Sequence, residues 1–338
     1  MAIMQIESRR GDWRTLFVSL ISGVLLSLLF PANCIAQSTE PTETLRVDSD
    51  LVDLKVSVVN LNPQNRLADL QQKDFLVLED GMPQEISFFA AADAPFDLVL
   101  LLDLSGSTAD KVKLIRRSAK RFVDATRPLD RVAIVTFTDA PHVVSALTWD
   151  RNLLKSAIDD IEKPLGGTKF WDSLRYVLET LLAAKQASRR SAILVMTDGV
   201  DNALPDVYGE GSRTNFAELL DIVRHSNTIL FPIYLDTENE EVRRHRTPKS
   251  AYPIARDQLA QLAEACGTTV YRANKLKDLD AVYQQVIRDL GTVYSIGYRP
   301  SNTLRDGKWR NVTVQLLDYH EVSARTKRGY FAKAVGGP

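Results

Sequence analysis

From about residue 45 to Ala92 the chain alternates in twos. Val52, Leu54, Val56 and Val58 are separated by polar residues, which predicts a strand with one buried face. The apolar runs Phe75 to Leu78 and Ile86 to Phe89 flank Glu79-Asp80-Gly81, and Asp-Gly between such runs predicts a hairpin. At Phe96 the texture changes. Phe96 to Leu102 is apolar apart from Asp97, as a strand covered on both faces of a parallel sheet must be. Ala109 to Arg127 then places Val112, Ile115, Ala119 and Phe122 on one side of a helix.

That alternation repeats along the chain. Strands are predicted at Val132–Phe137, Val143–Leu147, Ala192–Met196, Ile229–Leu235 and Thr268–Arg272. Helices are predicted at Asn152–Ile161, Trp171–Lys185, Phe216–His225, Asp257–Cys266 and Leu279–Leu290. Such an order implies an α/β fold with a doubly wound, mostly parallel sheet. Val143–Leu147 follows its neighbour through Asp139-Ala140-Pro141 and is expected as an antiparallel edge strand.

After Leu290 the period of two returns, at Tyr294 to Tyr298, at Val312, Val314 and Leu316, and again from Val322 to Phe331. Each β piece alone is near the size at which a single core becomes marginal. The termini of a doubly wound domain lie close together, so such a domain can sit inside a loop of another. The expectation is one β-sandwich domain built from 45–94 and 292–332, with the α/β domain 95–291 inserted between them and a tail at 333–338. Two separate β modules are the alternative.

Composition bounds the function. Lys and Arg total 42 against 43 for Asp and Glu, a net charge of -1, so nothing in the balance favours a nucleic-acid partner. The two cysteines are too few for a disulfide framework. At the start of the chain, Arg9, Arg10 and Arg14 precede the apolar stretch Leu16 to Phe30 and the small exit Cys34-Ile35-Ala36. This is the layout of a signal peptide over 1–36, cleaved after Ala36 and followed by a flexible leader, 37–44. It predicts a secreted or periplasmic protein with no membrane span in the mature chain. An uncleaved N-terminal anchor is the alternative. Asp12 and Trp13 depart from a twin-arginine pattern, and Pro31-Ala32-Asn33 departs from a lipobox before Cys34.

The chemistry concentrates where strands end. Asp103-Leu104-Ser105-Gly106-Ser107 follows the first buried strand, at the carboxyl edge where open α/β sheets bind ligands. A carboxylate and two hydroxyls spaced by two present three oxygens to one side of a turn, which suits a hard cation: Mg²⁺ first, then Mn²⁺ or Ca²⁺. Gly166-Gly167-Thr168 opens a helix, and Thr197-Asp198-Gly199 ends another strand. In the expected topology Asp103, Ser105, Ser107, Thr168 and Asp198 converge. Read singly, the serines could cap the helix near Ala109, and the glycine pair could be an ordinary turn.

Together, these three segments resemble the metal-ion-dependent adhesion site of von Willebrand factor type A domains, over about 95–291, with all five ligand positions filled. The flanks, Asp74-Phe75 through Met82-Pro83-Gln84 and Arg328-Gly329-Tyr330-Phe331, resemble secreted bacterial proteins described as von Willebrand factor A-related. The resemblance implies binding rather than catalysis: a metal with an open coordination position that takes a Glu or Asp carboxylate from a protein partner. It also leaves room for a module whose metal only stiffens the loops. A phosphohydrolase with a strand-end aspartate nucleophile would want a second carboxylate two residues after Asp103, where Ser105 stands. No Gly-x4-Gly-Lys-Ser/Thr run marks a P-loop. Asp201-Asn202 reads as a polar turn, Arg243 to Arg246 beside Glu238, Glu240 and Glu241 as a solvated loop, and Cys266 as a packed thiol. His142, His225, His245 and His320 show no ligand spacing.

Overall fold

The computed structural model describes residues 51–60, 70–108, 111–162, 166–183, 189–244, 246–273, 278–319 and 322–334. The expected signal peptide and leader, and the tail beyond 334, lie outside the described residues. Four strands precede the α/β region: β1 (Val52–Asn60), β2 (Phe75–Glu79), β3 (Met82–Gln84) and β4 (Ile86–Ala90).

The α/β region begins with β5 (Phe96–Asp103), α1 (Val112–Ala125), β6 (Arg131–Phe137), β7 (Pro141–Thr148), α2 (Arg151–Asp159) and α3 (Phe170–Tyr176). It continues through β8 (Arg190–Thr197), α4 (Phe216–His225), β9 (Ile229–Leu235), α5 (Glu238–Arg243), α6 (Ala251–Ala265), β10 (Tyr271–Ala273) and α7 (Leu279–Leu290). Four more strands close the chain: β11 (Val293–Tyr298), β12 (Trp309–Leu316), β13 (Val322–Arg325) and β14 (Gly329–Phe331).

The central sheet has the order β10-β9-β8-β5-β6-β7, parallel except for β7, the antiparallel edge strand. Every residue of β5 and of β8 is buried, which explains why their sequences show no alternation. One face is covered by α1, α2 and α7 through Ile115, Phe122, Leu154, Tyr283 and Val286; the other is covered by α3, α4 and α6 through Trp171, Leu174, Leu219, Tyr252 and Leu259. The chain steps from β5 to β6 and β7 on one side and then crosses to β8 on the other. The carboxyl end of β5 is therefore the switch point.

The flanking strands form two four-stranded sheets, β13-β1-β11-β4 and β14-β12-β2-β3, each mixing strands from before and after the α/β region. Leu54, Val56, Phe75, Val77, Ile296, Tyr298, Val312 and Val314 fill one shared core between them. Its one buried carboxylate, Glu79, accepts hydrogen bonds from the Tyr298 hydroxyl at 2.7 Å and the Tyr330 hydroxyl at 2.8 Å.

Where the chain passes between the two regions, Arg190 at the start of β8 gathers both crossings. Its guanidinium donates to the carbonyls of Ala92 (2.8 Å) and Ala94 on the way in and of Val293 on the way out, and lies 4.0 Å over the Phe96 ring.

Several local expectations are corrected. Ile86–Phe89 is not the return strand of the Asp80-Gly81 hairpin: that turn has positive φ at both residues (47° and 83°), so Met82 pairs directly with Glu79 and β3 is the return. The chain then changes sheets, and β4 pairs with β11. The helix expected from Asp257 begins at Ala251, because Pro253 falls in the first turn, where its missing N–H costs nothing. The helix expected over Trp171–Lys185 is α only to Tyr176 and continues as a π turn, Val177–Leu181; residues 184–188 lie outside the described residues. The strand expected over Thr268–Arg272 is found shifted and shorter, at Tyr271–Ala273. Beside the expected loop at Arg243 to Arg246, Glu238–Arg243 is an unexpected helix, with three glutamates in its first turn facing the positive end of the helix dipole and Glu240 paired with Arg244 at 2.8 Å.

Candidate metal centre

Parallel pairing sets Leu102 beside Met196, so the chain leaves β5 at Asp103 next to where it leaves β8 at Thr197. The Thr197 hydroxyl donates to Asp103 Oδ2 at 2.6 Å, and the Ser105 N–H donates to Asp103 Oδ1 at 2.9 Å. Ser105 Oγ and Ser107 Oγ stand 3.3 Å apart. The Ser107 hydroxyl in turn favours the ionised form of Asp198 by hydrogen bonding. On its far side Asp198 accepts from the Thr237 hydroxyl (2.6 Å, Oδ2) and from the Val200 N–H (3.1 Å, Oδ1). Neither serine caps α1, whose N-cap position is Lys111 with no side-chain cap bond.

Thr168 reaches the same end of the sheet through its backbone. The Asn202 N–H donates to the Thr168 carbonyl at 2.9 Å, and the Lys169 N–H donates to the Thr138 carbonyl at 2.8 Å. These two anchors follow β8 and β6, the strands on either side of β5, so the loop bridges across the end of β5. It is closely packed: a Cβ on Gly167 would lie 2.4 Å from Asn202 Nδ2 and 2.8 Å from Asp139 Oδ1, so both side chains would have to move. Thr168 is buried, and its hydroxyl has no hydrogen-bond partner among the described residues.

The electrostatics are unusual. Asp103 and Asp198 are both buried, and neither forms a direct ion pair among the described residues. Burial, reinforced by the neighbouring Asp198 charge, pushes the Asp103 carboxyl up to about 7, against the pull of the Ser105 and Thr197 hydrogen bonds. Burial also raises Asp198, opposed by Thr237, Val200, Ser107 and the Lys111 ammonium. Lys111 is held beside the centre by the Ser107 carbonyl (3.3 Å) and Glu240 (3.0 Å).

Two carboxylates buried together are costly unless a cation sits with them, and the nearby Lys111 ammonium is already held by Glu240. The surrounding donors are all oxygens, as Mg²⁺, Mn²⁺ and Ca²⁺ prefer. Among the described residues no group of three or more His, Cys, Asp and Glu is placed to hold a metal, so the candidate centre depends on hydroxyls as well as carboxylates.

Thr237, Thr197 and Lys111 are supporting residues that the motif pattern did not single out. Thr237 lies just past the end of β9 and becomes relevant only once β9 is known to neighbour β8. Asp201 is not a second ion ligand. Its carboxylate is consumed by the Trp171, Ala203 and Ser212 N–H groups and the Ser212 hydroxyl, which brace the loop beyond Asp198.

Fold and site together define a class of protein. The family model for the von Willebrand factor type A domain matches residues 97–285, and the chain belongs to that family. Among curated relatives, a UPF0353 protein of Nocardia farcinica is 23% identical over 232 residues, 64% of this chain and 69% of the relative. The calcium-activated chloride channel regulator 3A-1 of Mus musculus is 26% identical over 227 residues, and the match spans only 22% of its length. Among solved structures, proximal thread matrix protein 1 from the mussel byssus, with a zinc-occupied MIDAS motif, is similar at 18% identity and a TM-score of 0.46, covering 62% of this chain and 48% of that one. The BatB protein from Bacteroides thetaiotaomicron is similar at 16% identity and a TM-score of 0.44, covering 57% and 98%. Among the described residues no helix is long and apolar enough to cross a membrane.

Proposed function

We propose that this chain is an exported, non-enzymatic binding module that holds one divalent cation, Mg²⁺ or in its place Mn²⁺ or Ca²⁺, through Asp103, Ser105, Ser107, Thr168 and Asp198. When bound, the cation supplies a Lewis-acidic position for one oxygen of a Glu or Asp carboxylate on a protein partner. The observation that carries this reading is the buried, unpaired pair Asp103 and Asp198 ringed by hydroxyls. Two carboxylates against a dication leave the centre close to neutral, so a third carboxylate oxygen is still attracted. No histidine, cysteine or lysine in these three loops is set to act as base or nucleophile, which favours binding over turnover. In the same reading, 45–94 and 292–332 form the carrier domain and 95–291 the binding domain.

Isothermal titration tests this reading. Mg²⁺ and Mn²⁺ should bind with a stoichiometry of one, and a glutamate-bearing peptide should then give heat only with metal present. Heat from metal but none from the peptide would leave a module in which the metal only stiffens the loops. No heat from either metal would defeat the site.

A further inference from the structure

At the end of the central sheet opposite the metal centre, the two regions meet around a small polar cavity of about 20 Å³. That is room for one guest the size of a water molecule or a monatomic ion. The α/β region contributes Thr228, just before β9, and Cys266, at the end of α6; the sandwich contributes Asp53 and Lys55 from β1, and Thr326 and Lys327 after β13. The approach is close: a Cβ on Gly267, which has φ +73°, would lie 2.4 Å from the Thr326 backbone.

The buried part of the lining is rich in donors, while Ser226, whose Oγ accepts from the Thr228 N–H at 3.0 Å, and the exposed Asn227 complete its polar rim. The hydroxyls of Thr228, itself only 4% exposed, and of Thr326 are buried without a hydrogen-bond partner. Asp53 is already committed, both of its oxygens lying 2.8 Å from Lys55 Nζ. Burial pushes the Cys266 thiol up to about 11, so it stays neutral, and its S–H donates to the Thr228 carbonyl at 3.6 Å. Lys327 brings an ammonium with no ion pair among the described residues; burial, and then the Lys55 charge, lower it against the attraction of Asp53 and Cys266. The cavity thus holds one uncompensated positive charge and two hydroxyl donors without acceptors. A water molecule could serve the hydroxyls but would leave the charge standing.

We infer that this cavity is a binding site for a single monatomic anion of chloride's size, held by Lys327, Thr228 and Thr326, which pins the sandwich to the α/β region. The guest accepts from all three donors and neutralises the one charge that the joint leaves open. The site lies away from the metal centre and does not depend on it.

The test is thermal melting of the whole protein at constant ionic strength and fixed Mg²⁺, with sodium gluconate replaced stepwise by sodium chloride or bromide. Chloride and bromide should each raise the melting temperature by roughly 2–4 °C, since a ligand of the native state stabilises it. Lys327→Met should remove the response; should that variant not fold, Thr228→Val should weaken it. Crystals soaked in bromide should show an anomalous peak between Lys327 and Thr228. Equal melting in gluconate and chloride, an undiminished response in the variant that folds, or a bromide-soaked crystal without that peak would overturn the proposal.

Discussion

Replacing Asp103 with asparagine should separate the electrostatic cost of the centre from its use. Asparagine keeps the size and one carbonyl acceptor but removes a charge from a fully buried position. In the metal-free protein the Asp103 carboxyl stands at about 7, against an ordinary 3.8. The folded state therefore holds this proton more tightly than the unfolded chain. The associated stability is complete below pH 4 and is lost as pH rises through 7. About three pH units at about 1.4 kcal/mol each put the loss near 4 kcal/mol, an upper value because Asp103 and Asp198 titrate as a pair.

The assay is urea denaturation of wild type and Asp103→Asn in EDTA at pH 4 and pH 8, then at pH 8 in excess Mg²⁺. Taking the difference between the two proteins cancels the titrating groups outside the Asp103–Asp198 pair. In EDTA the variant should match wild type at pH 4 and exceed it by about 2–4 kcal/mol at pH 8. With Mg²⁺ the order should reverse, because only the wild type gains from binding. A variant less stable than wild type in EDTA at pH 8 would refute the claim that these carboxylates repel each other in a dry site. Equal stabilisation of both proteins by Mg²⁺ would remove Asp103 from the ligand set.

Other outcomes follow from the supporting residues. Thr237→Val deletes the hydroxyl 2.6 Å from Asp198 Oδ2 and should weaken Mn²⁺ binding about tenfold in calorimetry, with little change in secondary structure by circular dichroism. Arg190→Met strands the carbonyls of Ala92, Ala94 and Val293 and should cost roughly 3 kcal/mol in denaturant unfolding. The same variant should leave the metal affinity unchanged, because Arg190 lies at the amino end of β8 and Asp198, the proposed ligand, just beyond its carboxyl end.

The legible parts of the fold were those in which one physical signal dominates. β5 and β8 announce themselves because burial on both faces leaves the unbroken apolar runs Leu98 to Leu102 and Ala192 to Met196, and α7 because its apolar period holds over Leu279–Leu290. Asp103, Ser105 and Ser107 are legible because their spacing lies within one loop. Thr237 and Lys111 were not, since each matters only through a neighbour distant in the chain. α5 escaped because Val242 is its only apolar residue, so it has no hydrophobic period to read and is held by charge pairs instead. The hairpin misreading has a similar origin: Met82 is 64% exposed and β3 is three residues long, too short for its alternation to outweigh the stronger run at Ile86.

β4 and β11 are antiparallel neighbours, Ala90 pairing with Ser295, and the whole α/β region is the connection between them. Viewed as a hairpin, this one has a loop of roughly two hundred residues, and closing it as a slack chain costs about 5 kcal/mol in entropy. Once the α/β region has folded, its two ends are already side by side and most of that cost disappears. Assembly should therefore run from the middle of the chain outward: the sandwich is a late product, templated by the region it carries, and β1 and β4 wait without a shared neighbour until β11 is delivered between them.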